Sequence, residues 1–179
     1  MLVLAVNHPA RAGSDSRGGA AFTNERPWAD SSTTTFRDSS GRTTGSAVTH
    51  DRPGGSGGST TTFRDATGRT TGTAYTNERP GSGGSTTTFR DATGRTIGSA
   101  ITNERPGGGS TTTFRDATGR TVGSALTDER PDGDRRTTFR DATGRTTGSA
   151  ETDARPGGGS STRYRGETPY DRFGLPPQP

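Results

Sequence analysis

The chain has 179 residues, no cysteine, and a formal net charge of +4 from 23 basic residues against 19 acids, every base being arginine. Leu, Ile, Val and Phe together number 17, about 10% where roughly 20% borders on disorder. An ordinary apolar core is therefore excluded, and disorder is the main rival to any ordered reading. The missing cysteine also excludes a disulfide framework, a thiolate nucleophile and a cysteine zinc site.

Residues 1–18 read as a leader. Leu2 to Val6 is a short apolar run, and Ala10-Arg11-Ala12 is an A-x-A pattern directly before a Gly/Ser-rich stretch. This is the form of an export-signal remnant, which predicts a secreted, periplasmic or cell-surface protein, with a cytoplasmic location as the alternative. No segment approaches transmembrane length. Residues 19–32 hold half a repeat, since Gly19 to Pro27 matches Gly98 to Pro106 at seven of nine positions.

Residues 33–160 hold five tandem repeats of about 25 residues, typified by TTTFRDATGRTIGSAIT from Thr86 to Thr102, with apolar anchors Phe36, Phe63, Phe89, Phe114 and Phe139. Asp91-Ala92-Thr93-Gly94 has Asp where a carboxylate accepts local N–H groups and Gly where φ is positive, so it reads as a three-residue hairpin loop closed by a glycine bulge. The same structural turn recurs at Asp38 with Gly41, Asp65 with Gly68, Asp116 with Gly119 and Asp141 with Gly144. The flanking Thr, Phe and Ile residues suit strands.

Pairing Asp91 with Arg95 predicts Phe89 opposite Ile97 and Thr87 opposite Ser99. One face would then carry Phe89, Ile97 and Ile101, the other Thr86, Thr88, Arg90, Thr96, Gly98, Ala100 and Thr102. The Gly/Ser runs after each proline vary in length and read as spacers. Apolar character at the positions of Ile97 and Ile101 falls toward both ends, as in an open array whose central units are covered by neighbours. Residues 161–165 form a second half repeat, with Tyr164 in the anchor position, and residues 166–179 contain four prolines and are expected to be a disordered tail. The expected fold is all-β, a tandem β-hairpin repeat array with Gly/Ser/Pro spacers.

No catalytic, cofactor or metal constellation emerges. His8 and His50 have no partner at ligand or triad spacing, and the Asp-Ala-Thr-Gly turn lacks the alternating oxygen ligands of a calcium loop. The leading expectation is a non-enzymatic structural or surface protein acting as spacer, coat or self-assembling fibre element. One alternative is single-stranded nucleic-acid binding by Phe89 with Arg90 and Arg95, opposed by the neutralising Asp91 and Glu104. Another is an ice-binding threonine array of Thr86, Thr88 and Thr96, interrupted by Arg90.

The ends predict self-association. Gly19 to Thr23 is an orphan second strand and Ser161 to Arg165 an orphan first strand, and together they make one more hairpin. Meeting within one chain they close the array; meeting between chains they grow a head-to-tail filament, which the thin apolar faces favour.

The run FRDATGRTTGSA, from Phe139 to Ala150, resembles the repeat of small, uncharacterised, exported bacterial proteins built from F/Y-x-D-A-x-G-R-x-x-G-S units. More distantly it is similar to the tyrosine-aspartate repeats of large Rhs-type shells, from which it departs in having Phe for Tyr. The likeness spans about Thr33 to Thr152. It implies a β-hairpin array and carries no activity with it.

Overall fold

The computed structural model describes residues 18–26, 30–52, 57–79, 81, 83–155 and 159–175. Its strands are β1 (Gly19–Arg26), β2 (Ser31–Asp38), β3 (Thr43–Asp51), β4 (Gly58–Asp65), β5 (Thr70–Arg79), β6 (Gly84–Asp91), β7 (Thr96–Glu104), β8 (Ser110–Asp116), β9 (Thr121–Glu129), β10 (Arg135–Asp141), β11 (Thr146–Ala154) and β12 (Ser160–Gly166). Each pairs antiparallel with the next, and β1 pairs with β12, so the twelve strands close into a barrel. The hairpin array is ordered, and it has no ends. Among the described residues no helix is long and apolar enough to cross a membrane.

Closure decides between the two fates of the half repeats. Gly19 faces Tyr164 and Thr23 faces Ser160 within one chain. The head-to-tail filament through Gly19–Thr23 and Ser161–Arg165 therefore loses the free edges on which it rested. Twelve strands give a cylinder wide enough to hold side chains from every unit, so the thin apolar face that argued for stacking copies is covered by its own neighbours.

The register corrects the expected faces. Phe89 lies opposite Gly98 and Thr87 opposite Ala100, and the ladder shifts between Phe89 and Arg90, leaving Ile97 as the extra residue of a second bulge. With a side-chain period of two, one extra residue turns the strand over. Phe89 thus shares the inner face with Gly98, Ala100 and Thr102, while Ile101 joins Thr86, Thr88 and Arg90 outside.

Along the barrel the register advances two residues per hairpin unit, because Phe63 faces Gly72 on one side and Ala47 on the other. A shear equal to the strand number tilts the strands by roughly 36°. Equivalent residues from all units consequently lie at one level. From the Asp-turn end inward come glycines, then Phe36, Phe63, Phe89, Phe114, Phe139 and Tyr164, then Ala21, Ala47, Ala74, Ala100, Ala125 and Ala150, all buried hydrophobics of one core. Threonines follow.

The Gly/Ser run from Gly107 to Ser110, described throughout, is not a slack spacer. Arg105 N–H donates to Gly109 O at 3.0 Å and Gly108 N–H to Arg105 O at 3.2 Å, and the loop from Arg130 to Asp134 repeats this pattern. These are tight hairpins at the opposite end of the barrel. Their glycines supply the positive φ that the turns require, as at Gly109 (83°) and Gly133 (87°).

Residues 166–179 were expected to be unstructured, yet Pro169–Phe173 is a 3-10 helix and Leu175 is 3% exposed, while residues 176–179 lie outside the described residues. The Asp171 carboxylate accepts the Thr168 N–H at 2.7 Å and starts the helix, and Gly174 ends it at φ 63°. Counting prolines missed Tyr170, Phe173 and Leu175, which carry enough apolar surface to enter the barrel. Ile97 and Val122, where apolar character peaks, lie next to this insertion. Both side chains pack against the core beside the glycines that meet the inserted helix.

Candidate functional site

Three places gather chemistry that the linear sequence scatters. The first is a crown at the Asp-turn end. In each turn one carboxylate oxygen organises the loop: Asp91 Oδ1 accepts the Thr93 N–H at 2.9 Å, the Thr93 hydroxyl at 2.7 Å and the Arg95 N–H at 3.0 Å. Gly94 N–H closes the loop on Asp91 O at 3.0 Å, with φ at 86°. Asp38, Asp65, Asp116 and Asp141 make the same set of bonds.

The partner glycines repeat the closure. Gly41, Gly68 and Gly119 donate their N–H to the Asp38, Asp65 and Asp116 carbonyls at 3.0 Å, and Gly144 donates to the Asp141 carbonyl at 3.1 Å. Their φ values are 82°, 85°, 87° and 87°. A Cβ on Gly41, Gly68, Gly94, Gly119 or Gly144 would meet nothing within 4 Å, so the backbone conformation, and not close packing, calls for glycine there.

The donated Ser or Thr hydroxyl, and after it the backbone N–H groups, hold all five carboxyls below their ordinary value of 3.8. A depressed native value contributes stability above the unfolded value, and that contribution is lost as the pH falls through the depressed one. The barrel is therefore expected to keep one melting temperature between about pH 7 and pH 5 and to lose stability below about pH 4. Circular-dichroism melts across pH check this, and Asp91→Asn should flatten part of the acid limb.

Around the turns stand ten exposed arginines: Arg37, Arg42, Arg64, Arg69, Arg90, Arg95, Arg115, Arg120, Arg140 and Arg145. Along the sequence they alternate with acids and look evenly spread. The meander brings all five Arg-Asp-turn-Arg loops to one end, where their ten arginines outnumber their five aspartates, each already engaged in its turn; the C-terminal segment adds Glu167 and Asp171 with Arg165 and Arg172.

The second place is the opposite rim, where Arg52, Arg79 and Arg105 lie at the ends of β3, β5 and β7. Arg79 Nη2 donates to Thr102 O at 2.8 Å and Asn103 Oδ1 at 2.7 Å, and Arg52 reaches Thr76 O and Asn77 Oδ1, both at 2.6 Å. Arg105 bonds Thr127 O at 2.9 Å and the Asp128 carboxylate. Each of these arginines clasps the next unit, a role the sequence pattern alone did not reveal.

The third place is the lumen. Six cross-strand threonine pairs ring it: Thr23/Thr34, Thr49/Thr61, Thr76/Thr87, Thr102/Thr112, Thr127/Thr137 and Thr152/Thr162, with oxygen separations of 2.8 Å for the first and 2.9 Å for the others. The Asp-turn end of the lumen is stoppered by the C-terminal helix. Tyr170 meets Phe114 edge-on at 4.9 Å and Phe89 at 5.9 Å between centroids, and Phe173 stacks on Phe89 at 5.1 Å.

At Gly72, Gly98 and Gly123 the glycine makes room for both the adjoining strand and the stopper. A Cβ on Gly72 would come within 2.5 Å of Arg90 O and 2.9 Å of Leu175 Cδ2, and one on Gly123 within 2.6 Å of Arg140 O and 3.2 Å of Pro169 Cγ. The phenols of Tyr164 and Tyr170 are raised above their ordinary value, in both cases chiefly by burial. They stay neutral and can donate.

In the lumen, from the stopper past the threonine ring to Ser110 and Arg135, lies a cavity of about 220 Å³, whose lining includes Thr102, Thr127, Thr152, Ala125, Phe139 and Tyr170. Compared with known proteins, the chain matches no family model and no curated sequence.

The expected turn residues and apolar anchors all occupy repeated positions, the former in the crown and the latter inside the barrel. Gly41, Gly68, Gly94, Gly119 and Gly144 are exposed at the loop tips, and neither they nor their aspartates line the lumen cavity. These positions shape the crown and stand apart from the pocket. Phe63 and Phe114 are 0% exposed, so none of these rings forms an outer stacking platform. Thr86 and Thr88 lie on a curved wall rather than a flat lattice. His50 is exposed at the end of β3, while His8 and the export pattern Leu2 to Ala12 lie outside the described residues. The residues that sequence reasoning missed are the alanine level, the inner threonines and the stopper. Thr168-Pro169 with Asp171, a helix-start pattern followed by three apolar residues, was the available signal for the last.

Proposed function

We propose that this chain is a non-enzymatic structural module, a self-contained barrel that serves as a compact spacer or coat unit of an exported surface. The observation that supports it is the β1/β12 seam, which uses both strand edges within one molecule. Growth by edge addition then needs the seam to open, so the unit behaves as a bead rather than as a fibre subunit. Light scattering on the full chain tests this: one chain per particle across salt concentrations is the expected result. Particles that grow with protein concentration would return the reading to a fibre. The exported part rests on Leu2 to Ala12 and is tested by fractionating cells that express the full chain.

The crown supports a second reading, binding of nucleic-acid phosphate. Ten exposed arginines against five turn aspartates at one end leave an excess of cations that the alternating sequence did not promise. With the phenylalanines inside, any such binding is phosphate attraction without base stacking. A single-stranded and a double-stranded oligonucleotide should then bind alike and release steeply with added salt. Glutamine in place of Arg42, Arg69, Arg95, Arg120 and Arg145 should abolish binding while leaving the melting temperature in place. No binding at low salt would remove this reading.

A further inference from the structure

The geometry points to the lumen as a binding site for a small, neutral, hydroxyl-rich ring compound of monosaccharide or cyclitol size. Three features define the ligand. Size comes first: about 220 Å³ lies below the roughly 300–1,000 Å³ of pockets for drug-sized ligands, so the site takes one small ring and not an oligomer. It exists because every unit places alanine, rather than a second large residue, between its phenylalanine and its threonines.

Charge comes second. Apart from Arg135, the residues lining the cavity carry neutral side chains: threonines, serine, alanines and aromatics. A cation entering it would lose water with no counter-charge among the lining residues, which is costly, and the Arg135 guanidinium that an anion would need is already paired with Glu129 at 3.5 Å.

Polarity comes third. In the Thr102/Thr112 and Thr127/Thr137 pairs one hydroxyl donates to the other, which satisfies one of two O–H donors and leaves the second, with spare lone pairs, for another partner, whereas Thr162 of the Thr152/Thr162 pair also meets the Tyr164 phenol. On the three pairs whose residues line the cavity, Thr102/Thr112, Thr127/Thr137 and Thr152/Thr162, a purely apolar guest would strip water from these groups and return nothing. A guest with hydroxyls around its edge satisfies several at once. Tyr170 completes the floor. Its ring lines the cavity beside Phe114 and Phe139, giving an apolar surface for the C–H face of a sugar, and its neutral phenol remains a donor.

The test is an NMR titration of the full chain with D-glucose and with myo-inositol as probes, beside D-glucuronate and cyclohexanol as the charged and apolar counterparts. Saturable shifts at Thr127, Thr152 and Tyr170 with a neutral polyol are expected, with neither counterpart matching them. Ala125→Leu fills the cavity and should abolish the shifts. Thr127→Val keeps the shape while deleting one hydroxyl and should weaken binding about tenfold. Because the leucine variant is overpacked if the barrel does not yield, the valine variant keeps the test independent of its folding. The proposal is overturned if neither polyol shifts the lumen residues, if Thr127→Val binds as the parent does, if glucuronate binds equally and in a salt-sensitive way, or if cyclohexanol binds as well as the polyols.

Discussion

Deleting residues 1 to 27 should convert a monomer with a cooperative melt into associating particles without one. β1 is paired on both sides, to β2 from Gly19/Asp38 to Arg26/Ser31 and to β12 from Gly19/Tyr164 to Thr23/Ser160. Its removal leaves two long edges of unpaired backbone groups and opens the alanine and phenylalanine levels to water, and exposed edges of this kind recruit other strands. It also deprives the Thr34 hydroxyl of Thr23, its partner at 2.8 Å. A synthetic peptide covering residues 19 to 26 should restore the monomer by strand addition. Light scattering and circular-dichroism melts on the full chain, the deletion, and the deletion with peptide check this. A monomer with an unchanged melt in the deleted chain would mean that the seam contributes nothing to the fold.

Tyr170→Ala should be the most damaging single truncation in the C-terminal segment. Its ring sits between Phe89 and Phe114, and removing a large aromatic side chain from such a contact costs about 3 kcal/mol or more. For a chain of this size that is a fall in melting temperature on the order of 10 °C. Gly98→Ala approaches the same contact from the wall, since the added Cβ would overlap the Phe173 ring and lie 2.6 Å from Arg115 O. Its cost of about 1–3 kcal/mol has two sources, and a cycle with Phe173→Ala separates them. The part due to the stopper vanishes in the double mutant, and the part due to the Arg115 carbonyl persists. Gly45→Ala is the control, because there the three atoms nearest the added Cβ all belong to the backbone of Arg64 and Asp65. Equal coupling of Gly45 and Gly98 to Phe173 would show that the stopper does not seat on the glycine level.

Arg79 shows how far the repeat could be read from its own letters. Asn-Glu-Arg-Pro was legible as a turn approach, but its guanidinium acts on Thr102 and Asn103 of the following unit. A contact between units has no signature inside one unit. The same applies to the crown. Arg90 and Arg95 with Asp91 look nearly balanced locally, and only the direction of successive strands decides that five such loops crowd one end while the clasping arginines go to the other.

What the residues determined by themselves is local and chemical. Asp91 and Gly94 dictate a hairpin loop because one carboxylate can serve three donors there and because glycine tolerates φ of 86°. The same pairing dictates the loops that end at Gly41, Gly68, Gly119 and Gly144. Threonine and phenylalanine runs dictate strands, and the two half repeats dictate that an edge must be matched. What tertiary structure alone decided is which face is inside and where the ends go. One bulge residue, Ile97, reverses the face of its whole strand, because side chains alternate with period two. Closure into a ring depends on tilt and register accumulated over all twelve strands, so no single hairpin contains it. The few apolar residues suffice because a closed barrel makes every unit a central one, with Phe, Ala and Tyr at one level after another and the remaining opening filled by Tyr170, Phe173 and Leu175.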